Sequence, residues 1–107
     1  MDRFAGKTAL VTGAGRNIGA VIAETLASQG AMVAVHYSTS VDQANAVVAK
    51  IEAAGGRAFG VRADISTVAG VDGLVETLRT QLQARRHALS DAQSHDGLDI
   101  LVNNAAM

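Results

Sequence analysis

Three glycines, Gly13, Gly15 and Gly19, stand between a short apolar run and a stretch with helical periodicity. The run, Lys7-Thr8-Ala9-Leu10-Val11-Thr12, reads as a buried strand. Beyond the glycines Ile18, Ile22 and Leu26 recur at helical spacing with Val21 beside them, and Gly30 closes that helix as a C-terminal cap. A strand that turns at once into a helix leaves the helix's first N–H groups and its positive dipole end unpaired at the turn, where a phosphate group is stabilised. Glycines let the backbone turn sharply and come close to such a group, and Gly19 lets the helix pack near the strand. The bland alternative is an ordinary strand–helix turn in which the glycines serve geometry alone.

The rest of the chain repeats the alternation. Ala31-Met32-Val33-Ala34-Val35-His36 is a second apolar strand. Ser40 and Gln43 are spaced as a capping box for a helix whose stripe is Ala44, Val47, Val48 and Ile51, ended by Gly55-Gly56. Ala58, Phe59, Gly60 and Val61 indicate a third strand. Ser66 or Thr67 is placed to cap a third helix with the stripe Val71, Leu74, Val75, Leu78 and Leu82. A polar stretch from Ala84 to Gly97 reads as a frayed helix end plus loop, or an insertion, before a fourth strand, Leu98-Asp99-Ile100-Leu101-Val102. Strand and helix alternating in this way imply right-handed crossovers and a parallel sheet. With aromatics at 3%, the core is left to Ala, Val, Ile and Leu, which suits such a sheet. The 107 residues form one domain, with no repeat and no linker.

Composition removes several functions. The formal net charge of -1 and the absence of a basic block argue against a nucleic-acid partner. No cysteine is present, which excludes thiolate chemistry and cysteine-held metals. No apolar run approaches the roughly 18 residues of a membrane span, and the first residues lack a signal-peptide core, so a cytoplasmic location is expected. Ser94-His95-Asp96 lists the residue types of a triad, but sequence neighbours cannot adopt triad geometry. His87 and Asp91 make a poor metal site.

Three segments in order carry a resemblance. Thr12-Gly13-Ala14-Gly15-Arg16-Asn17-Ile18-Gly19, then Arg62-Ala63-Asp64-Ile65, then Leu98-Asp99-Ile100-Leu101-Val102-Asn103-Asn104-Ala105 resemble the T-G-x-x-x-G-[IL]-G, strand-end Asp and D-[IL]-L-V-N-N-A-G motifs of the short-chain dehydrogenase/reductase family. The pattern of the whole is similar to 3-oxoacyl-carrier-protein reductase-like members. Asn17 stands where the family has its middle glycine, with Gly15 nearby, and Ala106 stands for the last glycine. The resemblance implies an α/β, Rossmann-type doubly wound parallel sheet of strand order 3-2-1-4, truncated after its fourth strand. It assigns a dinucleotide's pyrophosphate to the turn of Gly13, Gly15, Arg16, Asn17, Ile18 and Gly19. It assigns the adenine amino group to Asp64, the face of that ring to Ile65, and the adenosine ribose and the approach to the nicotinamide to Asn104 and Ala105. Taken singly, each has a structural alternative: Asp64 as a carboxylate at a helix N-terminus, Asn103 and Asn104 as the end of a strand.

A site selective for NAD places Asp or Glu about 20 residues beyond the glycines to accept from the ribose 2′-OH. Here the second strand ends in His36-Tyr37-Ser38-Thr39-Ser40, without a carboxylate. A 2′-phosphate is repelled by acids and welcomed by hydroxyls, His and Arg. Tyr37, Ser38 and Arg16 therefore favour NADP(H) over NAD(H); the alternative for Arg16 is a solvated surface side chain.

The family works through a Ser and a Tyr-x-x-x-Lys. The only tyrosine here is Tyr37, followed four positions later by Val41, and the lysines are Lys7 and Lys50. No residue is assigned the proton-transfer role, so the chain alone is expected to be inactive, an incomplete enzyme whose full form is a homo-oligomer acting on a small carbonyl or alcohol. An open fourth-strand edge would leave it marginally stable or self-associating. Two rivals remain: a non-catalytic NADP(H)-binding module, and another Rossmann-type nucleotide binder such as a methyltransferase.

Overall fold

The computed structural model describes residues 3–14, 17–89 and 98–104, and at residues 17 and 85–89 the backbone alone. Four strands and three helices alternate: β1 (Thr8–Val11), α1 (Asn17–Ser28), β2 (Met32–Tyr37), α2 (Val41–Ala53), β3 (Arg57–Arg62), α3 (Val68–Leu89) and β4 (Ile100–Val102). All pairings are parallel, in the order β3-β2-β1-β4. The parallel sheet is the one expected from the alternation, and its order is that of the α/β, Rossmann-type sheet the resemblance implies.

The period of two along each strand sorts side chains onto two faces. Ala9, Val11, Val33, Val35 and Ala58 pack with α1 and α2, while Leu10, Met32, Ala34, Phe59 and Val61 pack with Leu74, Leu78 and Leu82 of α3. Helix α3 lies over β3, so Leu101, on the same face of β4, is 62% exposed.

Helix α1 corrects one expectation. Ile18 and Val21 are exposed, and Ile22 and Leu26 are only half-buried. The sheet-facing row is Gly19, Ala23 and Ala27, one residue further on. Small residues let the helix axis approach the sheet, and the larger aliphatics are turned to its flank. In α3 the row Leu74, Leu78, Leu82 is buried, whereas Val71 and Val75 are exposed.

The capping expectations divide as well. Gly30 does close α1, with Ala31 N–H donating to Leu26 O at 3.2 Å. Ser40 holds the N-cap position of α2, but its φ of -89° and ψ of 69° carry no side-chain cap bond, so the capping box with Gln43 does not form. Thr67, not Ser66, caps α3: its Oγ1 accepts from Gly70 N–H at 3.0 Å. Helix α3 runs on through Ala84 to Leu89, past the expected fraying point. Residues 90–97, with Asp91, Ser94, His95 and Asp96, lie outside the described residues, as does the side chain of His87.

Candidate functional site: the carboxyl edge of the sheet

Every described residue singled out by sequence, apart from those of α1's first turn, follows or ends a strand at its C-terminal end. Strand order reverses between β1 and β4, and a crevice at such a reversal is where open α/β sheets bind ligands. Gly15, Arg16 and Ala105 lie outside the described residues, and of Asn17 only the backbone, at the start of α1, is described.

The glycine turn is held from three sides. Gly13 has φ 62°, a left-handed backbone that favours glycine. Its N–H donates to His36 Nδ1 at 3.0 Å, and Ala14 N–H donates to His36 O at 3.0 Å. Its carbonyl accepts from Asn104 Nδ2 at 3.3 Å. Thr12 Oγ1 accepts from Asn104 N–H at 2.9 Å, and Thr12 N–H donates to Val102 O at 3.0 Å. A Cβ at Gly19 would overlap Gly13 O and lie 2.5 Å from Asn104 Nδ2, so only glycine allows α1 to start here. The N–H groups of Gly13 and Ala14 are thus committed within the protein, whereas the first N–H groups of a helix such as α1 have no partner within the helix.

At the end of β3 lies the second part. Asp64 is exposed, and its Oδ1 accepts from Ser66 N–H at 3.0 Å and from Ser66 Oγ. Those two bonds, the side-chain one first, hold the carboxyl below its ordinary value of 3.8. Among the described residues Oδ2 has no partner, and it remains an acceptor. Ile65 is half-buried against the α3 side of the core.

The end of β2 is the third. Tyr37 is half-buried against the α1–α2 core and Ser38 is exposed. His36 does not join them. It is 2% exposed, on the face opposite Tyr37, with Nε2 2.9 Å from Ala63 O, so it is no ligand for a phosphate. Sequence reasoning passed over Arg62 in this role. Tyr37 and Arg62 are register partners, and Arg62 Nε donates to Ser38 O at 3.3 Å, which brings a guanidinium to the end of β2. Only the pairing of two strands reveals that neighbour.

A groove of about 550 Å³ lies at the opposite, N-terminal end of the strands, bordered by Glu24, Lys50 and Arg57. The Lys50–Glu24 ion pair, 3.3 Å, spans it. It shares no residue with the carboxyl edge. Among the described residues no cluster of His, Asp or Glu could hold a metal, and no helix is long and apolar enough to cross a membrane.

Known proteins resemble the whole of this arrangement. The family model described as short chain dehydrogenase matches residues 7–107. An uncharacterized oxidoreductase of Methylorubrum extorquens is 43% identical over 107 residues, which are 100% of this chain and 38% of that one. A short-chain dehydrogenase/reductase homolog of Bacillus subtilis is 39% identical over 94% of this chain and 81% of its own length. Among solved structures, an angucycline C-6 ketoreductase with bound NADP superposes with a TM-score of 0.88 at 48% identity, over 98% of this chain and 38% of that one. The chain thus spans under two fifths of the oxidoreductase and of the ketoreductase, and four fifths of the Bacillus relative.

Proposed function

The chain belongs to the short-chain dehydrogenase family, and from that premise we propose that it is the NADP(H)-binding portion of an oxidoreductase acting between a carbonyl and an alcohol. The carrying observation is the end of β2, where no carboxylate stands and Arg62 donates to the carbonyl of Ser38. A carboxylate there would accept from a ribose 2′-OH and repel a 2′-phosphate. A hydroxyl and a guanidinium offer donors to the phosphate instead. The ketoreductase that superposes on the chain is one with bound NADP.

The pyrophosphate is taken by the turn from Gly13 to Gly19, with Gly15, Arg16, Asn17 and Ile18 between them. Gly13 contributes shape, and the N–H groups at the start of α1 contribute the field. Asp64 Oδ2 accepts from the adenine amino group, its carboxylate oriented by Ser66, and Ile65 lies against the ring. Tyr37 and Ser38 line the 2′-phosphate. Asn104 and Ala105 border the adenosine ribose and the approach to the nicotinamide, which when bound supplies or receives the hydride. This chain's residues bind and orient. The Tyr-x-x-x-Lys pair by which the family moves the proton of carbonyl reduction does not occur in this sequence.

A second reading is a module that binds NADP(H) without catalysis, because no Tyr-x-x-x-Lys occurs in the sequence. Titration of the chain with NADPH and with NADH tests both. Saturable binding that prefers NADPH, without carbonyl reduction, is expected. A folded chain that binds neither refutes the autonomous module and leaves a portion of an enzyme that needs the rest of the protein to hold its cofactor.

A further inference from the structure

His36 is buried, and the cofactor assignment above gives it no part. Its neighbours on the same face of β2, Met32 and Ala34, are apolar, so the strand pattern calls for an apolar side chain at this position. A buried imidazole is costly unless both ring nitrogens are satisfied. Both are. Nδ1 lies 3.0 Å from Gly13 N, and Nε2 lies 2.9 Å from Ala63 O. A backbone N–H can only donate, so Nδ1 must offer its lone pair, and the proton sits on Nε2, facing the carbonyl. One ring therefore ties the first residue of the glycine turn to the residue immediately before Asp64.

We propose that His36 is a positioning residue of the cofactor site, whose neutral Nε2–H imidazole sets the spacing between the pyrophosphate turn and the adenine-side carboxylate. The proposal rests on reading this edge as a dinucleotide site. The ring touches no cofactor; it acts through Gly13 on one side and Ala63 on the other. A hydrophobic side chain of similar size would fill the space and leave the Gly13 N–H and the Ala63 carbonyl without partners.

Two substitutions separate the halves of the ring. His36→Asn places an amide oxygen near Nδ1 and keeps the acceptor for Gly13, but does not reach Ala63. His36→Gln places an amide nitrogen near Nε2 and keeps the donor to Ala63, but loses the acceptor for Gly13. The probes are NADPH and adenosine 2′-monophosphate, which lacks the pyrophosphate. His36→Gln is expected to weaken NADPH about fivefold to tenfold, the size of one hydrogen bond, and to leave the monophosphate unchanged. His36→Asn is expected to weaken both ligands by one common factor. Loss of both ligands in parallel in both variants, tracking a lowered melting temperature, would overturn the proposal.

Two readouts need no cofactor. Hydrogen exchange at the Gly13 amide should be slow in the wild type and in His36→Asn and faster in His36→Gln; equal rates in the wild type and His36→Gln overturn the contact. In the wild type itself, imidazole nitrogen shifts should report the Nε2–H tautomer, and the Nδ1–H tautomer overturns it without any variant. A wild-type chain that binds neither ligand would refute dinucleotide binding by this chain alone, and with it the role in cofactor positioning there. The exchange rates and the tautomer would then still show whether His36 holds the turn.

Discussion

Asn104 Nδ2 donates to the carbonyl of Gly13 at 3.3 Å, a contact between residues 91 positions apart, and both atoms stand where a side chain on Gly19 would have to go. The end of β4 is thereby locked onto the glycine turn, and the first turn of α1 is pressed against both. Gly19→Ala is expected to push α1 outward, cost about 1–3 kcal/mol of stability through overpacking, and weaken NADPH binding at least tenfold. Thermal unfolding and a fluorescence titration measure the two effects. Wild-type affinity in Gly19→Ala would show that the helix start has no fixed place in the site.

Thr12 is the second part of that lock, because its hydroxyl oxygen accepts from Asn104 N–H at 2.9 Å. Thr12→Val keeps the shape and removes the acceptor. Denaturant unfolding should show a loss of about 1–3 kcal/mol, the cost of a part-buried donor left unpaired. Thr12→Ser should recover most of it, since it restores the oxygen and gives up a methyl. If Thr12→Ser is as unstable as Thr12→Val, packing of the methyl, not the hydrogen bond, is what matters.

The strands were legible because apolar runs and glycine breaks are local signals, and the parallel sheet follows from their alternation; their order β3-β2-β1-β4 is a tertiary property and comes only with the family resemblance. Helix α1 departs from its sequence pattern because size is not the mark of burial there; the small row Gly19, Ala23, Ala27 faces the sheet, and Ile18 is exposed. His36 was counted with the strand-end groups that welcome a phosphate, although strand parity sets it on the face opposite Tyr37, with Met32 and Ala34. Strand β4 begins at Ile100, two residues later than the apolar run suggested. Asp99 instead closes onto β1, its N–H donating to Thr8 O at 2.9 Å and its Oδ2 accepting from Thr8 N–H at 2.8 Å. The nearness of Arg62 to Ser38 depends on the β2–β3 register, which no window along the chain contains.

Ser66 gives Asp64 a measurable signature. Its hydroxyl and its N–H hold the carboxylate form, so the folded carboxyl titrates below the ordinary 3.8. A depressed folded value means that the stabilisation is complete above the ordinary carboxyl range and is lost as pH falls below 3.8 and through the folded value. Carboxyl-carbon NMR titration should place Asp64 low in the wild type and return it towards 3.8 in Ser66→Ala. An unchanged titration in Ser66→Ala would remove the Ser66 hydroxyl from that role and leave it to the backbone N–H, which the substitution keeps.

Choice between the two dinucleotides is expected to reside in Ser38 and Arg62, which meet through the bond from Arg62 Nε to Ser38 O at 3.3 Å. Arg62→Ala should weaken NADPH about tenfold, the size of a charge-assisted hydrogen bond to phosphate, and leave NADH unchanged. Ser38→Asp should act in the opposite sense on the two ligands. The new carboxylate repels the 2′-phosphate and accepts from the 2′-OH, so NADPH binding falls while NADH binding rises. Parallel titrations at one ionic strength measure both ratios, with salt held constant because exposed charges are screened. If Arg62→Ala weakens NADH as much as NADPH, the arginine supports the end of β2 and does not read the phosphate. Selectivity would then have to come from the glycine turn, where Arg16 is the candidate cation.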